Sequence, residues 1–344
     1  MQIRAERSWA KGRLDCIKHK STVLSGNPWN DPLERDLFVY LPPGYVENES
    51  YPVFWDLAAY TNSGPGHVNW RNHGENIPQR LDRLIAAEQM GPVIAVFPDC
   101  YTSLGGNQYL NSSGVGRYED YLLAELMPLV ETRYSVLADA AGRAIFGKSS
   151  GAYGALMQAI RHPEIWGAAA CHSGDLNFDL VYRSDFPTTC NVLARHKYDV
   201  LRFMRHFWRS KQPGGADFHT MMTLCMAATY DPVAPESTEH GLPLRLPFDL
   251  ETCELDPDLW SRWLQFDPVE MPAGTLQSLT ALKGLYLDVG YRDQYNIHFG
   301  SRRFHRRLNE LEIPHHYEEF DGTHSGIDHR LDVSLPWLYA KIME

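Results

Sequence analysis

The feature that most constrains the fold is a rhythm: short segments apolar on both faces alternate with helices that carry one apolar face. Tyr51-Pro-Val-Phe-Trp-Asp-Leu57 and Pro92-Val-Ile-Ala-Val-Phe97 read as buried strands, and Ile77, Leu81, Leu84 and Ile85 share one face of the helix between them. Leu122, Leu126, Leu129 and Val130 mark a second amphipathic helix, which Pro128 is expected to bend. Arg143-Ala-Ile-Phe146 is a third strand, and Gly167-Ala-Ala-Ala-Cys171 a fourth. Between them, the helix from Gly151 to Arg161 carries the small residues Ala152, Gly154 and Ala155 on one side. A strand apolar on both faces needs a layer on each, so the order predicts an α/β fold with a parallel sheet covered by helices on both faces.

Before this core, Leu37-Phe-Val-Tyr-Leu41 is an extended segment stopped by Pro42-Pro43-Gly44. The rhythm lapses between Asp175 and Ser278 and returns with strand Gly284-Leu-Tyr-Leu-Asp288, a helix using Phe304, Leu308 and Leu311, strand His316 to Phe320 and a last helix around Ser334 to Ile342. A length of 344 residues suits two small domains or one large one with an insertion. Candidate site residues stand on both sides of the lapse, which favours one domain over 1–344 with 175–278 inserted as a lid over the site.

Composition excludes some functions. The chain has 44% hydrophobic and 22% charged residues and a formal charge of -11, which argues against disorder and against a phosphate-tracking nucleic-acid surface. Arg302, Arg303, Arg306 and Arg307 form a local basic run, read as the solvated face of a helix. The N-terminus lacks the apolar stretch of a secretory leader and no segment is a membrane span, so a cytoplasmic location is expected. Six scattered cysteines without a Cys-x-x-Cys pair read as reduced thiols, and the lack of a His-Glu-x-x-His sequence leaves no metal site to expect.

The chemical signal is Gly147-Lys148-Ser149-Ser150-Gly151, placed directly between an apolar strand and a small-residue helix. A sharp turn there lifts the Ser149 hydroxyl above the sheet, and the flanking glycines keep side chains out of the tight backbone approach. A serine hydroxyl needs a base to take its proton and a carboxylate to orient that base. His324, in Phe320-Asp-Gly-Thr-His324-Ser-Gly326, follows the last strand and is the candidate base. Asp293 is the preferred acid because Gly290 permits a turn back toward the imidazole; Asp288, at the strand tip, and Asp321 are weaker choices. His172 ends the fourth strand but precedes the acid in the chain, so packing or substrate contact suits it better. All these positions fall at the carboxyl ends of strands, where open parallel sheets assemble their sites. Oxyanion donors are expected from the Ser150 N–H, at a helix start, and from the loop Ala58-Ala59-Tyr60-Thr61.

Further motifs bring a family into view. Leu41-Pro-Pro-Gly-Tyr45, Gly116-Arg-Tyr-Glu-Asp-Tyr121 with Glu125 and Pro128, Gly147 to Leu156, His162-Pro163, Ser173-Gly174, Gly290-x-x-Asp293 and Gly322-x-His324 occur in order. With them the chain resembles the esterase D-like "putative esterase" family of α/β-hydrolases, whose relatives include enterochelin esterases, feruloyl esterases and mycolyltransferases. The resemblance runs from about Leu37 to the C-terminus, interrupted by the insertion. It implies an α/β-hydrolase fold with N-terminal antiparallel strands and a cap-like insertion. It also implies Ser149 as nucleophile, Asp293 as acid, His324 as base, and the amides of Tyr60 and Ser150 as the oxyanion hole. The chain departs from many members in having Ala58-Ala59 where they carry His-Gly, and Ser150 where they carry Met.

The expected reaction is hydrolysis of a small-molecule carboxylic ester through an acyl-enzyme, without a cofactor. Acyl transfer, amide or peptide cleavage, and a binding module that lost turnover are the alternatives. Ala59, Trp70, Tyr109 and His172 are candidate substrate contacts. The insertion's Phe203, Phe207, Trp208, Trp260 and Trp263 either line a pocket or, the favoured reading, pack the insertion onto the sheet.

Overall fold

The computed structural model describes residues 9–71, 73–238 and 241–344; most of the N-terminal stretch read for a leader lies outside them. Eight strands form one sheet: β1 (Arg13–Lys20), β2 (Glu34–Leu41), β3 (Val53–Leu57), β4 (Ile94–Pro98), β5 (Arg143–Lys148), β6 (Ala168–His172), β7 (Gly284–Gly290) and β8 (His316–Phe320). Their spatial order is β1-β2-β4-β3-β5-β6-β7-β8. The β1/β2 and β2/β4 pairs are antiparallel, and every later pair is parallel. The longer helices are α1 (Ile77–Ala86), α2 (Met127–Arg133), α3 (Ser150–Arg161), α4 (Phe186–Arg195), α5 (Val200–Arg209), α6 (Gly215–Tyr230), α7 (Pro257–Leu264), α8 (Ile297–Glu310) and α9 (Leu331–Met343). No helix among the described residues is long and apolar enough to cross a membrane.

The double-sided apolarity of the strands produces two cores. Successive side chains on a strand point to opposite faces. Val53, Trp55 and Leu57 of β3, Ile94 and Val96 of β4, Ile145 of β5, and Leu285, Leu287 and Val289 of β7 enter the larger core. Their neighbours Phe54, Ala95, Phe97, Ala144, Phe146 and Tyr286 enter the smaller one, closed by Ile77, Leu81 and Leu84 of α1 and Leu335, Leu338 and Ile342 of α9. The alanines of β6 let α3 lie close, with Ala152 and Ala155 fully buried.

Pro128 lies within a continuous helical run: residues Tyr121–Leu126 form a π-helical stretch that passes directly into α2, and Pro128 is the second residue of α2. Glu125, on that π-helical stretch, accepts hydrogen bonds from the amides of Thr22 and Val23 and the Thr22 hydroxyl, and so anchors the chain between β1 and β2.

The described residues of 175–278 are mostly helical and add no strand to the sheet. Phe203, Phe207, Trp260 and Trp263 are buried in the larger core with sheet residues, and only Trp208 of the five aromatics is exposed. Trp208 stacks edge-on to Tyr101 and donates to the Ser103 carbonyl at 2.9 Å. The basic run on α8 is mostly engaged. Arg302 holds Glu319 of β8 at 2.7 and 2.8 Å, Arg303 holds Asn177 and Glu270, and Arg307 donates to the carbonyls of Val269 and Met271.

Candidate active site

Register brings the strand ends together. Leu57, Gly147, Cys171, Leu287 and Tyr317 are successive Cα partners across β3, β5, β6, β7 and β8, and the chemistry-bearing residues follow within a few positions. Ser149 forms the turn between β5 and α3 at φ 56 and ψ -126, a conformation that costs a non-glycine residue about 1–3 kcal/mol. Two backbone bonds hold it there: its N–H donates to the His172 carbonyl at 3.0 Å, and its carbonyl accepts Tyr153 N–H at 2.9 Å. A Cβ at Gly151 would overlap the Leu57 carbonyl oxygen, and one at Gly147 would sit 2.7 Å from the same oxygen. Glycine is therefore required at both ends by close approach.

Past β7, the Asp293 N–H donates to the Gly290 carbonyl at 3.0 Å, closing the turn the sequence suggested. Asp293 Oδ1 accepts Tyr295 N–H at 2.8 Å, leaving Oδ2 2.8 Å from His324 Nδ1. The other ring nitrogen, Nε2, lies 3.0 Å from Ser149 Oγ. His324 is held on two further sides: its N–H donates to Gln294 Oε1 at 3.0 Å, and Tyr295 meets its ring edge-on at 4.8 Å. The weaker acid candidates go elsewhere. Asp321 is exposed and pairs with Arg292. Asp288 binds His172 Nδ1 at 2.7 Å through Oδ1 and Arg330 at 2.8 Å through Oδ2. Burial disfavours its charge, but His172 and Arg330 outweigh burial and hold it below the usual carboxylate range.

A cavity of about 330 Å³ opens against Ser149, at the small end of ligand sites, which run about 300–1,000 Å³. Ala59, Tyr60 and His324 line it, together with Val181, Tyr182, Phe218 and Met222 from the inserted helices. The Tyr60 hydroxyl is tied to the Leu104 carbonyl at 2.6 Å, while its N–H finds no acceptor among the described residues. Ser150 is the first residue of α3, so its N–H has no intrahelical partner and lies at the positive end of the helix dipole.

Three sequence expectations need correction. Tyr109 is buried beneath the site, its ring against Gly154 of α3 and its hydroxyl on the Ala58 carbonyl. Trp70 is 66% exposed and lines no described cavity. His172 is consumed by Asp288 and by Ser334 Oγ at 2.9 Å, and borders an adjoining cavity of about 410 Å³. None of the three reaches the Ser149 cavity. Asp175 does, and the sequence reading passed over it; its only signal was its place two residues after Ser173 at a strand's end.

The strand order, the strained serine turn after β5 and the three-residue relay at the carboxyl edge define an α/β-hydrolase. The chain belongs to the Esterase family: the family described as "Putative esterase" matches residues 32–333. Over 89 residues it is 37% identical to Esterase Rv1288 of Mycobacterium tuberculosis (strain H37Rv), an alignment covering 24% of this chain and only 18% of that relative's length. Two solved structures share the fold over nearly their whole length. A ferulic acid esterase is 17% identical with a TM-score of 0.60, covering 97% of this chain and 99% of that one. An S-formylglutathione hydrolase from Agrobacterium tumefaciens is 16% identical with a TM-score of 0.56, covering 99% and 100%.

Proposed function

We propose that the protein hydrolyses carboxylic esters of small molecules through an acyl-enzyme on Ser149. The observation that carries this reading is the continuous relay from Ser149 Oγ to His324 Nε2 at 3.0 Å and from His324 Nδ1 to Asp293 at 2.8 Å, open to a cavity. His324 takes the Ser149 proton as Oγ attacks the ester carbonyl, and Asp293 stabilises the imidazolium. The N–H groups of Tyr60 and Ser150 receive the oxyanion. The intermediate collapses as His324 returns the proton to the leaving alcohol, and a water activated by the same imidazole releases the acid. Residues 175–278 act as the insertion that covers this site within one domain, since Val181, Tyr182, Phe218 and Met222 wall the cavity. The two solved neighbours differ in the substrate they are named for, so acyl preference has to come from this chain's own cavity.

Treatment with a fluorophosphonate probe followed by peptide mapping tests the reading. A single adduct on Ser149 is expected, with Ser149→Ala unlabelled and its ester hydrolysis reduced roughly 10⁶-fold. Labelling elsewhere, or full turnover by Ser149→Ala, would remove Ser149 from the role.

A further inference from the structure

The Ser149 cavity is lined by the apolar side chains of Val181, Phe218, Met222 and Ile297, by the basic Lys148, His219 and His324, and by Asp175, whose residue is 3% exposed. Every close partner of this group is neutral. Ser150 Oγ donates to Oδ2 at 3.1 Å and the Tyr182 hydroxyl to the same oxygen at 2.8 Å. The Gln108 carboxamide donates in turn to both hydroxyls, at 3.1 and 3.3 Å. Among the described residues no Lys, Arg or His lies within ion-pair distance of Asp175, although Asp288 and Asp293 each have such a partner. Burial pushes the carboxyl above its usual range, against the opposing pull of Tyr182, His324 and Ser150.

The placement works against hydrolysis of a neutral ester. Ser150 is the residue whose N–H receives the oxyanion, and its side chain carries a hydrogen bond to Asp175. Negative charge must therefore develop close to a buried negative charge, in surroundings where screening is weak. A cation on the substrate, seated against Asp175, removes that penalty and makes a charge-assisted hydrogen bond. Throughout the reaction the group nearest the Ser150 side chain is the acyl group, because its carbonyl oxygen stays on the Ser150 N–H. On the reading of Ser149 as nucleophile, we propose that Asp175 is a specificity-determining residue that selects esters whose acyl group carries a protonated amine.

The test compares 4-nitrophenyl 3-aminopropanoate with 4-nitrophenyl butanoate, in which a methyl group replaces the ammonium. Asp175→Asn keeps the shape and an acceptor for the two hydroxyls. It should lower the ratio of kcat/KM for the amino ester to that for butanoate roughly tenfold to a hundredfold, the worth of one charged hydrogen bond. Equal losses on both esters, or no change on either, would overturn the proposal, because a merely structural Asp175 cannot make the two substrates diverge. A second measurement needs no turnover: 3-aminopropylboronic acid should slow fluorophosphonate labelling of the native protein more than butylboronic acid does, and the difference should vanish in Asp175→Asn. Equal protection by the two boronic acids also overturns it. Labelling without either boronic acid reads the nucleophile alone, so failure of the Ser149 assignment is seen separately.

Discussion

Asp288 and His172 hold one another at 2.7 Å, and this pairing withdraws from the site both the carboxylate at the tip of β7 and the imidazole at the tip of β6. With Ser334 Oγ 2.9 Å from the far ring nitrogen, they form a second Ser-His-Asp chain of buried side chains. Burial separates the two relays: Ser334 is a fully buried residue of α9, whereas Ser149 faces a cavity. Residue type and spacing alone do not make a site.

The two carboxylates should therefore respond differently to the same change. Asp293→Asn is expected to lower kcat by roughly 10⁴, because an amide can favour the wrong imidazole tautomer. Asp288→Asn should leave kcat within a few fold but cost about 2–3 kcal/mol of stability, since Arg330 loses its buried partner and keeps only the half-buried Glu318. Ester turnover and urea unfolding on both variants check this; an inactive but stable Asp288→Asn would reverse the assignment.

Gly151→Ala should be among the most damaging single-methyl changes in the chain. Its Cβ would overlap the Leu57 carbonyl, and moving that carbonyl means moving a central strand. A loss of about 3 kcal/mol or more is expected, with Gly274→Ala, which meets nothing within 4 Å, staying within about 0.5 kcal/mol of the native protein. Thermal unfolding of the pair measures the contrast.

Glu119 gives the molecule a defined acid sensitivity. It is buried, which disfavours its charge, but the His162 and Arg161 hydrogen bonds prevail and bring its pKa from 4.5 to about 2. A carboxylate depressed in the folded state stabilises above its unfolded pKa, and that contribution is lost as pH falls from about 4.5 toward 2. His162 is raised above its ordinary 6.5 by the same hydrogen bond, so its share is complete below that value and fades as pH rises through the folded pKa. Glu119→Gln should cost roughly 2 kcal/mol near pH 5.5, discounted because Arg161 is partly exposed, and much less at pH 3. A stability difference that stays constant across this range would show that the charge is not the cause.

The inserted helices should unfold with the sheet. Trp263 is fully buried and packs edge-on against Tyr182, Phe186 and Tyr230, which join the same core as β3 and β7. Trp263→Ala is expected to cost about 3–5 kcal/mol and to shift one cooperative transition. Calorimetry that resolves a separate low-temperature transition, with the remainder unmoved, would mean that residues 175–278 melt independently.

Much of the fold was legible because sheet burial leaves a local trace. The buried runs at Val53–Leu57, apolar but for Asp56, and at Ile94–Pro98 can satisfy both faces only inside a layered α/β structure. Ser149, Asp293 and His324 stood out for a related reason: each follows a strand, beside glycines that permit a tight turn. Trp70 and Tyr109 were misplaced because an aromatic residue near a strand end carries no mark of whether it faces a cavity, solvent or a helix. Family motifs that looked unrelated in the sequence proved to be two halves of one contact, as with Glu119 and His162, 43 residues apart.

By itself, then, the sequence determined the layered architecture, the strained serine turn and the order of the candidate relay, since each follows from hydrophobic period or from backbone chemistry within a few residues. Tertiary structure alone decided which aspartate serves which histidine, that Asp175 enters the cavity, and that the inserted aromatics share the main core. Those outcomes depend on distances between segments up to 175 residues apart, as between Ser149 and His324, and they are set by sheet register and by which buried charges find a partner.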